Sequence, residues 1–374
     1  CRFTSVLRAA DPFYSAAWLD ERMKLTPAVT ALILSSSGPA WADSASERAA
    51  AEILEQRLKN EAPEELAMLQ AVAGKDIVVV QGSMDHIEQI LSAAKIRHTV
   101  VAPEQLQNLD LRGEQILMVN CPGYLPDAGI RKIERFVRAG GLLYTTDWAL
   151  LNVVQKAFPG TIAHNGRGTE SEVTPVVIKA QHDDLMSNML LRKNKEPEWW
   201  LEGGSYPIKI LSPKVEVLAQ SAAMAAKYGA APVVVRFKWH DGEVIHVVSH
   251  FYRQMSTTGP AVAAAAATAE MEGLSDAQKE AFKNNEAAKE TIGDVESSYA
   301  FQRMTSNLIT GKSRDNVGWR SAYSWTPKAE VEVDGRRAKR GERLRILSEQ
   351  GGKVRVRDER GNEATISRDA IQAY

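Results

Sequence analysis

Three side chains able to do chemistry stand just beyond apolar runs. Cys121 follows Ile116–Val119, Asp147 follows Leu142–Thr145, and His250 follows the run GEVIHVVS at 242–249. Open α/β sheets bind ligands at the carboxyl ends of their strands, so residues in these places are natural candidates. A cysteine there acts as a nucleophile when a base and a lowered pKa generate its thiolate. An Asp/His pair moves protons. The plainer alternatives are a small buried thiol, an Asp capping the helix that begins near Trp148, and a His bonded to a loop.

Other side chains offer binding rather than reaction. Trp199-Trp200 and Tyr206 bracket the glycine pair Gly203-Gly204, and Tyr124 and Trp148 lie beside the first two candidates. Together they supply aromatic faces for a sugar or a peptide, or else one Trp pins the loop to the core. His246 and His250 are four positions apart on one strand, roughly 13 Å along it, too far for one ion. No metal and no cofactor is expected.

These residues need elements to hold them. Ile116–Val119, a Cys-Pro-Gly turn, a helical spacing of Ile130, Ile133, Phe136 and Val137, then Gly140-Gly141 and Leu142–Thr145 read as strand, helix, strand. Strands apolar on both faces suit a buried parallel sheet. Upstream, IVVV at 77–80, a helix over 86–94 and Thr99–Val101 extend the order to β-α-β-β-α-β. That predicts an α/β fold with a doubly wound, mostly parallel, flavodoxin-like sheet. Residues 43–75 read as an N-terminal helical segment, 76–310 as the α/β domain, and 256–296 as an Ala-rich, charged helical insert within it. From 329 to 374 short alternating runs punctuated by Gly335, Gly341, Gly351-Gly352 and Gly361 predict a small all-β barrel.

The chain has 374 residues and a formal net charge of -1. That balance gives no reason to expect nucleic acid as a partner. It begins with Cys1, but Met23-Lys24, the apolar run Ala28–Leu34 and Ala40-Trp41-Ala42 have the layout of a signal peptide. Residues 1–42 are therefore expected to be a non-native leader plus signal peptide (Met23–Ala42), and the mature protein periplasmic or secreted. The apolar run is shorter than the roughly 20 residues that span a bilayer, so no transmembrane span is expected.

The phrase Asn120-Cys121-Pro122-Gly123, a helix, and Gly140-Gly141-Leu142-Leu143 resemble the class I glutamine amidotransferase-like superfamily. In that family the Pro-Gly turn helps form an oxyanion site. The strand after the next helix ends in a tight turn carrying the nucleophilic Cys, and a His follows a late strand. Here the turn is Thr146-Asp147-Trp148, without that Cys, while His250 lies where the family's His would. The chain thus resembles the non-catalytic branch that keeps the fold and lacks the elbow cysteine. The tail, with Lys339-Arg340-Gly341-Glu342-Arg343-Leu344 and Val354–Val356, resembles a bacterial SH3-like domain. The resemblances imply an exported binding or scaffold protein of the cell envelope, with a cell-wall polymer or envelope protein as partner. The alternative is a hydrolase or transferase using Cys121 or the Asp147/His250 pair. Convergence of Cys121, Asp147 and His250 within hydrogen-bond reach in one cleft separates the two readings.

Overall fold

Four short runs, three of them wholly buried and one at the exposed edge, pair into a parallel sheet. In this computed structural model, which describes residues 45–180, 182–191, 198–250 and 292–374, they are β1 (Ile77–Val80), β2 (Thr99–Val101), β3 (Ile116–Val119) and β4 (Leu142–Thr146). β1 pairs with β2 and β3, and β3 with β4, all parallel. The strand Gly242–Val247 then adds to β4, also parallel, in the register Thr145 to His246. Pro232–Trp239, Glu216–Gln220 and Val177–Ile178 follow as antiparallel neighbours, completing eight strands. The expected mostly parallel α/β sheet is thus present as a mixed sheet, with its antiparallel strands on one side. The described residues form one compact unit.

Every residue of β1, β3 and β4 is buried, as strands covered on both faces require. The helix Asp127–Arg138 in the β3-to-β4 crossover buries Ile130, Ile133, Phe136 and Val137. Elsewhere the N-terminal helices Ala45–Glu61 and Pro63–Ala71 pack against a helix of 31 residues, Ile292–Ala322. Phe301 of that long helix meets Tyr144 of β4 edge-on at 6.3 Å. Its second half is tied to the loops at the amino ends of the strands. Lys312 Nζ donates to Gly113 O and Gly140 O at 2.7 and 2.6 Å, and Trp319 Nε1 to Ala139 O at 2.6 Å.

Two boundaries differ from the sequence reading. The all-β part expected from 329 begins earlier: the long helix runs to Ala322, and Trp325–Pro327 is already a strand of the C-terminal sheet. Trp199-Trp200 lie in the strand Glu198–Leu201, paired with Glu172–Pro175, rather than in a loop. The leader, the signal peptide and the insert up to 291 fall outside the described residues.

The C-terminal sheet has five antiparallel strands, with a separate hairpin of Val331–Val333 and Arg336–Ala338. Leu344, Val354, Val356 and Ile371 form its small core under Trp325, Ile346 and Ile366. It sits against the α/β part through charge. Arg357 Nη1 reaches Asp241 Oδ2 at 2.6 Å and Arg138 O at 3.1 Å, Arg345 reaches Asp241 Oδ1 at 2.7 Å, and Arg112 reaches Glu359 at 2.6 Å. Much of the basic character of this segment is therefore engaged inside the molecule. Arg336, too, pairs with Glu342 and Asp358. Among the described residues no helix is long and apolar enough to cross a membrane.

Candidate functional site

The carboxyl ends of β1, β3, β4 and Gly242–Val247 deliver four ionisable side chains to one buried spot. Asp85 comes from the loop after β1, Cys121 from the turn after β3, Asp147 from the turn after β4, and His250 from just beyond the last parallel strand. All four are at most 3% exposed. Parallel neighbours end at the same sheet edge, so residues far apart in sequence meet there.

Local geometry sets each of them. After β1 the chain passes so close to β3 that a Cβ on Gly82 would stand 2.1 Å from Cys121 O. Met84 N then donates to Cys121 O at 3.2 Å. This brings Asp85 beside Thr146, whose hydroxyl donates to its carboxylate in a short contact. Asp147 has φ +46°, in the left-handed region. Asp tolerates that region better than most residues, yet such backbones persist mainly where surroundings enforce them. Here Asp147 N donates to Val247 O, and Leu150 N to Asp147 O, both at 2.9 Å. The result is the sharp turn expected at Thr146-Asp147-Trp148.

The Asp147 side chain does not cap the following helix. Its Oδ1 accepts from Tyr206 N at 2.9 Å and its Oδ2 from Ser205 Oγ at 3.1 Å. Oδ2 is also 4.0 Å from Cys121 Sγ and 3.8 Å from His250 Nε2. His250 turns its other nitrogen, Nδ1, to the Glu202 carboxylate in a short contact. Glu202 follows the strand Glu198–Leu201, which Ser249 Oγ holds by donating to Trp200 O at 2.8 Å.

Burial works on these groups in opposite directions. It raises the Asp147 carboxyl to about 7, against the pull of His250 and the Tyr206 N–H. It raises Asp85 and the Cys121 thiol as well, and His250 lowers both in part. For His250 burial favours the neutral ring, but Asp85, Cys121 and Glu202 outweigh it and raise the imidazole to about 11. The His250 ring is thus surrounded by four acidic groups: Asp85, Cys121, Asp147 and Glu202.

Aromatic residues wall the site. Trp148 stacks on Tyr206 at 5.5 Å, Tyr206 stacks on His164 at 4.0 Å, and Trp148 Nε1 donates to Gly204 O at 2.8 Å. Of the predicted binding residues, Tyr124 is exposed at 63%, while Trp148, Trp200 and Tyr206 are half-buried. Trp199 is 1% exposed and belongs to the core, so the Trp199-Trp200 pair is not one platform. Alternation along the strand explains this, because neighbouring side chains point to opposite faces. Asp85, Glu202, Ser205 and His164 were not singled out from sequence. Glu202 carries a faint signal, an acid wedged between an apolar strand and Gly203-Gly204; Asp85 has none beyond its place after β1.

No protein-family profile matches the chain, and no curated protein does. Solved structures similar to it include a β-galactosidase from Bacillus circulans sp. alkalophilus. That match has 14% identity and a TM-score of 0.37, covering 84% of this chain and 44% of that one. An exo-β-1,4-mannosidase, Op5Man5, from Opitutaceae bacterium strain TAV5 matches with 12% identity and a TM-score of 0.33, covering 53% of this chain and 35% of that one. A ThuA-like protein from Bacteroides uniformis matches with 12% identity and a TM-score of 0.33, covering 48% of this chain and 81% of that one. The chain therefore spans less than half the length of either glycoside hydrolase. The expectation of a non-enzymatic binding or scaffold module is corrected at this point. Cys121, Asp147 and His250 converge to within 4.8 Å of one another, with Cys121 Sγ 4.0 Å from Asp147 Oδ2. The convergence carries the correction, since it is what separates the two readings.

Proposed function

We propose that the protein is a hydrolase whose reacting centre is the point shared by Cys121 Sγ, Asp147 Oδ2 and His250 Nε2. The observation that carries this is their convergence from three strand ends into one buried cluster. Structural ion pairs seldom need a thiol, a carboxylate and an imidazole together, and buried charge is costly unless put to use. Water is the attacking group in this reading. Asp147 is held by Ser205 and Tyr206 and is not free to form an ester. Cys121 lies on the turn where the amidotransferase-like family places oxyanion donors, not the attacking group. Glutamine hydrolysis through a thioester is accordingly not expected.

Glu202 fixes the His250 ring through Nδ1, which leaves Nε2 directed at the centre. The stacked Trp148, Tyr206 and His164 form one wall, and the exposed Tyr124 ring suits the apolar face of a sugar or peptide group. The strand order and the sharp turn at Asp147 support an amidotransferase-like origin for the α/β part. The five antiparallel strands of the tail support an SH3-like barrel. The Met23–Ala42 pattern supports export.

The test is turnover of chromogenic glycosides, esters and amides by the purified chain. Hydrolysis of at least one class is expected. It should fall by about 10²-fold or more in Asp147→Asn and His250→Ala, the scale for a group lost from a reacting centre. The surface variant Lys339→Ala should match the parent. Turnover that survives both site variants, or none in any class, would overturn the proposal.

A further inference from the structure

We infer that Cys121, Asp147 and His250 are the protein ligands of one zinc ion. The donors are a thiol sulfur, a carboxylate oxygen and an imidazole nitrogen, all within 4.8 Å of one another. A mixed set of this kind suits Zn²⁺ better than the hard cations, which prefer oxygen alone.

The spacing fits an ion better than it fits hydrogen bonds. His250 Nε2 and Asp147 Oδ2 are 3.8 Å apart, beyond hydrogen-bonding range. Cys121 Sγ and Asp147 Oδ2 are 4.0 Å apart. With zinc bonds of about 2.3 Å to sulfur and about 2.0 Å to nitrogen and oxygen, tetrahedral ligand atoms stand about 3.3–3.6 Å from one another. The two distances to Asp147 Oδ2 need to close by only about half an ångström to reach that geometry, and the remaining pair lies within 4.8 Å.

His250 gives an independent sign. It is 1% exposed, and its Nε2 has no hydrogen-bond partner among the described residues. A buried polar atom left in this way costs about 1–3 kcal/mol, and such atoms call for an unseen partner. Nε2 faces Asp147 and Cys121, where an ion would lie. The supporting contacts are also those of a metal site. Glu202 takes His250 Nδ1, fixing the ring so that Nε2 can coordinate, and Tyr206 N and Ser205 Oγ hold the Asp147 carboxylate. Asp85 lies behind the cluster, 0% exposed, and its Oδ1 likewise has no partner among the described residues. A divalent cation would offset the concentration of buried acidic groups.

Three protein ligands leave a fourth tetrahedral position, the pattern of catalytic rather than structural zinc. That position is open to water, the nucleophile that the hydrolase reading requires, so the inference rests on that reading for its purpose but not for its test. Histidine spacing along one strand does not reveal the site. The ligands come instead from three separate strand ends.

The experiment uses the full chain without a polyhistidine tag, stripped with chelator and titrated with ZnCl₂, with metal counted by mass spectrometry. One zinc per chain is expected. Cys121→Ser and His250→Ala should each weaken binding by about 10²-fold or more, and Glu202→Gln by about 10- to 100-fold at unchanged stoichiometry. Co²⁺ in place of zinc should give a near-ultraviolet thiolate-to-cobalt band that Cys121→Ser abolishes. Far-ultraviolet circular dichroism identifies any variant that fails to fold, and the cobalt band of the parent remains decisive in that case. No stoichiometric binding, or a cobalt complex without the thiolate band, would overturn the inference. Full turnover by the stripped protein would overturn it while leaving the hydrolase reading intact.

Discussion

At the scale of the residue, Asp147 joins backbone to chemistry. Its φ of +46° and its grip on Tyr206 N and Ser205 Oγ make it both a structural and a reactive position. Asn shares Asp's tolerance of the left-handed region, so Asp147→Asn should keep the fold while removing turnover. A β-branched residue does not share it. Asp147→Val should cost about 1–3 kcal/mol in addition, measurable as a lower urea midpoint. His246 poses a different question. It is fully buried beside Thr145 Oγ1, 2.9 Å from its Nδ1, and burial lowers it to about 3. The unfolded chain binds that proton more readily, near pH 6.5. The sign follows: stability is complete above about pH 6.5 and declines as pH falls toward 3, by up to about 1.4 kcal/mol per unit. Melting curves from pH 7.5 to 4.5 should show this slope, and His246→Gln should flatten it. An unchanged slope would mean that other groups carry the acid sensitivity.

At the scale of the element, the turns after the strands matter more than the strands. β1 and β3 are interchangeable in kind, short runs of apolar residues, and a Val/Ile exchange in either costs little. The chain beyond β1 has no such latitude. A methyl group at Gly82 would stand 2.1 Å from Cys121 O, and backbone cannot yield as a flexible side chain does. Gly82→Ala should therefore displace the Asp85 loop or the Cys121 turn. Expected outcomes are a loss of stability of about 1–3 kcal/mol, the range for overpacking, and weaker turnover. A variant as stable and as active as the parent would show that the two turns are not held in this contact.

At the scale of the whole molecule, the C-terminal sheet is bound to the α/β part by a network centred on Asp241. That carboxylate takes Arg357, Arg345 and the Tyr323 hydroxyl, the last at 3.0 Å. Arg357 is 5% exposed on its side chain and keeps Glu363 at 2.7 Å when Asp241 is removed, so the loss should fall below the roughly 3–5 kcal/mol of a buried charge left alone. Asp241→Ala should loosen the docking and speed proteolysis near residues 322–330, with little change in metal or substrate binding at the opposite edge of the sheet. The boundary found for this sheet makes a sharper claim. Trp325–Pro327 lies between Leu344–Gln350 and Ile371–Ala373. A fragment of residues 329–374 lacks that strand, leaving Ile371–Ala373 without its neighbour, and should fail to unfold cooperatively, whereas 324–374 has every strand. Cooperative folding of the shorter fragment would contradict the assigned strand order.

Much of the fold was legible in the chain because the determinants are local. Runs such as IVVV at 77–80 and ILMV at 116–119 declare buried strands by composition, and the spacing of Ile130, Ile133, Phe136 and Val137 declares the helix between them. The three residues of the site were legible for the same reason, since each follows such a run. Their meeting was not. Parallel pairing of β3, β4 and Gly242–Val247 joins residues that are about a hundred positions apart, and no local pattern records which strand lies beside which. Partners lying outside the strand ends were invisible too. Glu202 reaches His250 only because an intervening strand, held at Trp200 by Ser249, returns to the same edge. Likewise the buried Trp199 and half-buried Trp200 read alike in sequence, and only the pairing of their strand decides which face each one takes. Residue types and the runs before them determined what chemistry was on offer; the long-range pairing of strands decided that it is gathered in one place.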